Sequence, residues 1–239
     1  MPSFTPEVIA LGFIWYAVFL FSTTCHEAAH ALAAKIGGDP TAFHGGQVTL
    51  NPVPHIRREP VGMVLIPLLS YAVSHSMMGW ASAPYDPVWQ RRYPRRAAWM
   101  ALAGPGANFT LMLLAGIAIR VGVRSGYFDA PASANFSHVT SLASTGGSSF
   151  ATTALSILFV LNLLLGTFNL FPFPPLDGST GITLLMSERR ALSYLGWLQG
   201  GGFGMIGLLI AVLLFGRVFK YVFLFALGVL YPGLSYVSS

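Results

Sequence analysis

The sequence predicts an all-α membrane protein, a polytopic helix bundle of about five to six transmembrane segments. Two observations carry that expectation. Apolar residues make up 54% of the 239 positions and charged residues 9%, where soluble domains carry about a quarter charged. Uncharged stretches also recur at the length of about 20 residues that a helix needs to cross a hydrocarbon core of about 30 Å. Neither an internal repeat nor a heptad pattern interrupts them, so 1–239 reads as one integral-membrane domain, with a core over about 8–185 and C-terminal helices over about 190–239.

The first uncharged stretch runs from Val8 to Cys25. It resembles a signal peptide in hydrophobicity, but it lacks a basic leading region and runs directly into a polar motif that cleavage would destroy, so it is expected to be a retained helix. The connection 37–59 is rich in Gly and Pro and contains the strand-like Gln47-Val48-Thr49-Leu50, which predicts a short β-hairpin-like element at the membrane face. Further uncharged stretches follow at 60–85, 97–119, 130–176 and 191–216, with a last one from 221 to the end. Arg217 and Lys220 divide the tail into expected segments at about 197–216 and 219–236.

Charge placement sets the expected topology. The net charge of +5 comes almost entirely from arginine, and the arginines stand in pairs between apolar segments rather than along one basic face, which argues against a nucleic-acid partner. By the positive-inside rule the connections holding Arg57 and Arg58, Arg91 to Arg96, and Arg189 and Arg190 are cytoplasmic, and the Ser-, Ala- and Gly-rich 121–148 connection is external. A full crossing by 60–80 would put the four-arginine connection outside. A re-entrant excursion, helped by Pro67, resolves the conflict, and a short true span is the alternative. Cys25 is the sole cysteine, so no intrachain disulfide forms, and a buried thiol suits it better than a ligand role.

His26-Glu27-Ala28-Ala29-His30 ends the first apolar stretch. On a helix, positions i and i+4 share a face, so His26 and His30 can grip one Zn2+ with Glu27 beside it as general base. A catalytic zinc takes three protein ligands and keeps a fourth position open. Asp177 is the candidate third ligand: it ends the uncharged stretch 130–176 inside Asn169-Leu170-Phe171-Pro172-Phe173-Pro174-Pro175-Leu176-Asp177-Gly178. The three prolines there cannot continue a helix, so the backbone opens. His44 or His55 is the alternative third ligand, in a three-histidine site. His75 and His138 read as ordinary polar residues, Asn162 as packing glue, and Gly104, Pro105 and Gly106 as a point of close helix approach with Asn108 bonding across it.

Three of these elements together carry a resemblance: the pentad at 26–30, Ala103-Gly104-Pro105-Gly106-Ala107-Asn108-Phe109, and Asn169 through Leu176-Asp177-Gly178. In this order in an apolar chain they resemble the site-2 protease family of intramembrane zinc metallopeptidases. Leu50-Asn51-Pro52-Val53-Pro54-His55-Ile56 and Gly79-Trp80-Ala81 resemble its short, single-domain prokaryotic branch, and the likeness covers roughly 10–185. The resemblance implies one zinc held by His26, His30 and Asp177, Glu27 as catalytic residue, and Asn169 assisting in the site. An interhelical hydrogen bond is the other reading of Asn169. One departure is Arg57, where that branch usually has an acidic residue. No PDZ or CBS regulatory domain is expected in this length.

The expected activity is hydrolysis of peptide bonds within or beside transmembrane segments, by a multi-pass protein of a prokaryotic cytoplasmic membrane with its site towards the cytoplasm. The expected partners are a transmembrane protein or peptide substrate and the lipid bilayer; the sequence does not set an oligomeric state. Two rivals share the apolar context: a membrane metallohydrolase of a lipid-like substrate, and a non-catalytic metal-binding scaffold or transporter.

Overall fold

The computed structural model describes residues 5–200, 204–234 and 236. Four of its helices are long and apolar enough to cross a membrane: α1 (Pro6–Gly37), α6 (Pro94–Arg124), α7 (Phe150–Asn169) and α10 (Gly204–Leu230). The first three start or stop for a local reason. Thr5 caps α1 by accepting from the Val8 N–H, Pro6 supplies a preset φ at its first turn, and Gly38, at φ +98°, ends it in the left-handed region that glycine enters freely. Pro94 opens α6. Ser149 and Thr152 form a reciprocal capping box on α7, each side chain taking the other's backbone N–H.

Helix α6 lies between α1 and α7 and makes the most extensive contacts of the molecule with both. One apolar core joins α1 to α7 through Trp15, Phe19, Ile157 and Leu161, and a second joins α6, α7 and α10 through Ile119, Phe159, Val160, Phe219 and Leu227. The connection between α6 and α7 is covered as well: Val139 is fully buried and Trp15 Nε1 donates to Ser137 Oγ at 3.2 Å.

The 60–85 region folds back on itself, with an apolar helix shorter than those of spanning length. A π-turn (Val61–Leu65) leads into α4 (Ile66–Ser74). Fourteen helical residues rise about 21 Å, short of a bilayer core. The chain then reverses at His75, the one described non-glycine residue with positive φ, at +54°. On its way back Met78 N–H donates to Ser70 Oγ, Trp80 N–H to the Gly62 carbonyl, and Ser82 Oγ to Glu59 at 2.5 Å, so both ends of the excursion lie at one level. Gly62 and Gly79 make this possible, because a side chain on either would collide with the other strand's carbonyl.

Three expectations need correction. The 37–59 connection holds no strand; it folds as α2 (Thr41–His44), a bend through Gln47–Leu50, and α3 (Pro52–Arg58). Asn51 accepts from the Val53 N–H ahead of Pro52, and this helix-starting pair outweighs the β-branched fragment before it. The antiparallel pair is elsewhere, β1 (Phe128–Asp129) with β2 (Ser141–Leu142), in the connection after α6. Finally, four helices of spanning length stand among the described residues, not five or six. The stretch 130–176 is one 20-residue helix flanked by loops, and the tail is the short α9 (Glu188–Gly200) followed by α10, which runs unbroken through Arg217 and Lys220. Both cations are exposed and can lay their stems along the helix, so they do not end it. Residues 201–203, 235 and 237–239, parts of the expected tail segments, lie outside the described residues. The remaining elements are α5 (Pro87–Arg92) and α8 (Asp177–Gly181), the latter continued by a 3-10 turn (Ile182–Leu185).

Candidate metal centre

Helix α1 places His26 and His30 one turn apart on its buried side, with ring centroids 4.6 Å apart and planes at 78°. Each ring is fixed from behind by α6. His26 Nδ1 lies 2.5 Å from Asn108 Oδ1, and His30 Nδ1 lies 2.8 Å from the Met100 carbonyl. Both partners are oxygens that only accept, so both Nδ1 atoms carry a proton, and in the neutral, metal-binding ring each Nε2 presents a lone pair. Those lone pairs face each other at 3.0 Å.

Asp177 completes the set from the far end of the chain. Helix α7 ends at Asn169, the proline-rich loop turns back, and Asp177 opens α8 with Oδ2 at 3.1 Å from His26 Nε2 and 3.3 Å from His30 Nε2. Gly178 permits the turn, because a methyl there would overlap the Leu170 and Phe171 carbonyls. Asp177 Oδ2 is buried and receives no hydrogen bond. Three electron-pair donors facing one another without a proton between them repel, unless a cation lies among them. Ligand atoms around a tetrahedral zinc, with bonds of about 2.0–2.1 Å, stand about 3.3 Å apart; the three distances of 3.0, 3.1 and 3.3 Å agree with that geometry. Two imidazoles and one carboxylate are also the donor types of a catalytic zinc. The residues fit the metal.

Gly104 on α6 keeps the space in front of the donors open. A methyl at this position would overlap the Nε2 atoms of both histidines, whereas one at Gly106 would meet nothing within 4 Å. Glu27 follows His26 on α1, is 4% exposed, and leaves Oε2 without a partner. The site lies inside the bundle: seven residues separate His30 from the end of α1, and six separate Met100 from the start of α6, about 10 Å in each case.

The other candidates have partners of their own or supply no donor to this cluster. Asn169, the last residue of α7, donates from Nδ2 to its own helix at the Leu165 carbonyl, 3.0 Å away. His55 is buried on α3 with Nε2 3.2 Å from the Thr49 carbonyl, and His44 is exposed on α2; among the described residues only His26, His30 and Asp177 converge. Cys25 is a free thiol in the wall of a groove formed by α1 and the Val48–Leu50 bend. Two contributors escaped the sequence reading: the direct bond from Asn108 to His26, and Ser22, which Asn162 reaches at 2.9 Å. The spacing of Gly104 and Asn108, i and i+4 on one helix, was the available signal for the first.

The comparisons agree with this geometry. The model of peptidase family M50 matches residues 14–194, three quarters of the chain. "Putative zinc metalloprotease YwhC" of Bacillus subtilis is 37% identical over 162 residues, covering 66% of this chain and 63% of the relative, so the match spans less than two thirds of that protein. No solved structure matches the chain. With a matched region that contains most of α1 and all of α6 and α7 together with His26, His30 and Asp177, the chain belongs to peptidase family M50, the site-2 protease family.

Proposed function

We propose that this multi-pass membrane protein is a zinc metalloprotease that cleaves peptide bonds within or beside the transmembrane segments of other membrane proteins. The observation that carries the reading is the convergence of two histidine lone pairs and one unprotonated-facing carboxylate oxygen, from α1 and α8, at a point about 10 Å inside a bundle of membrane-length helices. Zinc held by His26, His30 and Asp177 would supply Lewis acidity towards water and towards the scissile carbonyl. Glu27, buried with a free oxygen, takes the proton of the attacking water and returns it to the leaving amine. Asn169 exchanges the Leu165 carbonyl for the developing oxyanion; loss of one such donor typically costs about 2.7–4 kcal/mol.

The substrate must expose a carbonyl, and a helical segment hides its carbonyls in its own hydrogen bonds, so it unwinds locally before cleavage. A place for the unwound strand lies beside the pentad. The main chain of Val48–Leu50 makes no backbone–backbone hydrogen bond among the described residues, and with Cys25, Ala28, Ala29 and Leu32 it lines an apolar groove of about 370 Å³. Pairing of substrate backbone along 48–50 gives strand addition with a pocket for one apolar side chain. The arginine-bearing ends also gather on one side: Arg96 donates to the Gly37 carbonyl and Arg58 to Ser82. By the positive-inside rule that side is the cytoplasmic face of a cell membrane, and the site opens towards it.

The test uses the purified chain in detergent. Wild type is expected to hold one zinc and to cleave transmembrane peptides while leaving lipid extracts intact; Asp177→Ala loses the metal, His55→Ala keeps it, and Glu27→Gln keeps zinc but loses turnover. Lipid hydrolysis without peptide cleavage, or full function in Glu27→Gln, overturns the reading.

A further inference from the structure

Resting on the metal site just proposed, a second set of buried groups acquires a role. Ser22 on α1, Asn108 on α6 and Asn162 on α7 are each fully buried, and they form a continuous hydrogen-bonded chain that ends on His26. Its direction is fixed from the end away from the metal. Asn162 Nδ2 lies 2.8 Å from the Leu158 carbonyl and 2.9 Å from Ser22 Oγ. A carbonyl only accepts, so the Asn162 amide must point its NH2 there, and its Oδ1 is left to face α6. Asn108 answers with Nδ2 at 2.8 Å, which turns its own Oδ1 towards the imidazole. His26 then has one available tautomer: the proton on Nδ1, the lone pair on Nε2, aimed at Asp177.

We infer that Asn162 is a positioning residue of the metal centre, acting through Asn108 to hold His26 in the metal-binding tautomer and ring orientation, with the α7 backbone at Leu158 as the group that sets the direction. The sequence suggests only a residue that glues helices together, which would stabilise the bundle without bearing on the metal. The two roles differ in what they predict. Glue lowers stability without moving metal affinity; a relay moves metal affinity, and adds nothing to it once Asn108 is gone. Partners that orient a ligating histidine typically matter about 10–100-fold in metal affinity.

The experiment measures the zinc dissociation constant of the full chain in detergent by competition with a chromophoric chelator, the absorption bands of the Co2+-loaded protein, and thermal unfolding of the metal-free protein. Asn162→Leu is expected to weaken zinc binding about tenfold or more and to alter the Co2+ bands, while Asn162→Leu in an Asn108→Leu background adds no further loss. Ser22→Ala is expected to leave zinc binding within about twofold, since the Leu158 carbonyl still fixes the amide. If Leu at 162 prevents folding, Asn162→Ala is read against the same background with the same expectation. Lowered thermal stability with unchanged zinc affinity and Co2+ bands overturns the proposal, as does an equal loss in both backgrounds. His26→Ala and Asp177→Ala separate this from failure of the underlying reading: if both still bind zinc as wild type does, the metal site itself is wrong.

Discussion

Two parts of this molecule are both apolar enough to cross a membrane and opposite in what they do with it. The α1, α6 and α7 bundle buries Ser22, His26, Glu27, His30, Asn108 and Asn162, and most of those polar atoms have a named partner or face the donor cluster. Helix α10 buries only Gly207, Ala211, Phe219, Leu227 and Leu230, and presents Met205, Ile206, Leu209, Val212 and Leu213 outward. In lipid an outward leucine loses nothing, because the hydrocarbon is as apolar as a protein interior. An inward asparagine without a partner, by contrast, costs several kcal/mol. Tolerance of substitution should therefore separate the two regions sharply.

The largest effect is expected at Gly104. In Gly104→Ala the new methyl occupies the space between the Nε2 atoms of His26 and His30, so zinc content falls to background while the helical circular dichroism is kept. Gly106→Ala, two residues along with open space at the same atom, keeps its zinc and gains up to about 1 kcal/mol in stability from helix propensity. Equal zinc content in the two variants would break the contrast at its strongest point.

Next comes the contact of α10 with the loop that delivers Asp177. Gly207 packs against Pro174, where a side chain would overlap the Pro174 carbonyl, and Phe215 rests edge-on against Phe168 and Phe171, where the loop leaves α7. Gly207→Val should displace the loop that delivers Asp177 and weaken zinc binding several-fold, while neighbouring Ile206→Ala leaves it unchanged; chelator competition on the pair decides this. Zinc binding unaffected by Gly207→Val would make α10 a bystander throughout.

A smaller effect, visible through pH, belongs to the re-entrant excursion. The Asp39 carboxylate accepts from Thr41 N–H and Thr41 Oγ1 through Oδ1, and from Asp86 N–H at 2.8 Å through Oδ2, which ties the end of α1 to the end of the excursion. Burial pushes its pKa up, but the three hydrogen bonds outweigh that and hold it below the ordinary value. A carboxyl whose folded pKa is depressed contributes stability that is present above the unfolded value of about 3.9 and is lost as pH falls through the lower folded one. Thermal stability of wild type should thus drop below about pH 4 more steeply than that of Asp39→Asn; parallel pH profiles would remove Asp39 from the clamp.

How much of this could be read beforehand follows the same division. His26, His30 and Asp177 were legible because ionisable groups are rare in an uncharged chain, and their spacing or their place after prolines names a role. The arginines on either side of 60–80 posed re-entry against a short span, and the structure adds the reversal of the chain at His75. The helix count was not, because an uncharged run such as 130–176 has the composition of a span throughout, and only the Ser149 and Thr152 box tells helix from connection. The fragment Gln47–Leu50 misled for a related reason: β-propensity records a fit to a pleated neighbour, and here there is none. The chain of Ser22, Asn162 and Asn108 joins residues 140 and 54 positions apart, a relation that no local pattern contains.

The smallest expected effect is at Leu213, and it tests the lipid-facing half of the comparison. The residue is 68% exposed, on the same helix as fully buried Ala211. In a soluble protein's core Leu→Ala costs about 2–5 kcal/mol, because contacts are lost and a cavity remains. Here neither term applies: the side chain touches little protein, and detergent or lipid fills the vacated volume. Leu213→Ala should change unfolding free energy by less than about 0.5 kcal/mol and leave zinc content and peptide cleavage at wild-type levels. Ala211→Leu, by contrast, forces bulk into a packed position and should cost about 1–3 kcal/mol. A loss at Leu213 comparable to that at Ala211 would mean that the outward face of α10 is covered by another chain rather than by lipid, and crosslinking from Leu213→Cys would then find it.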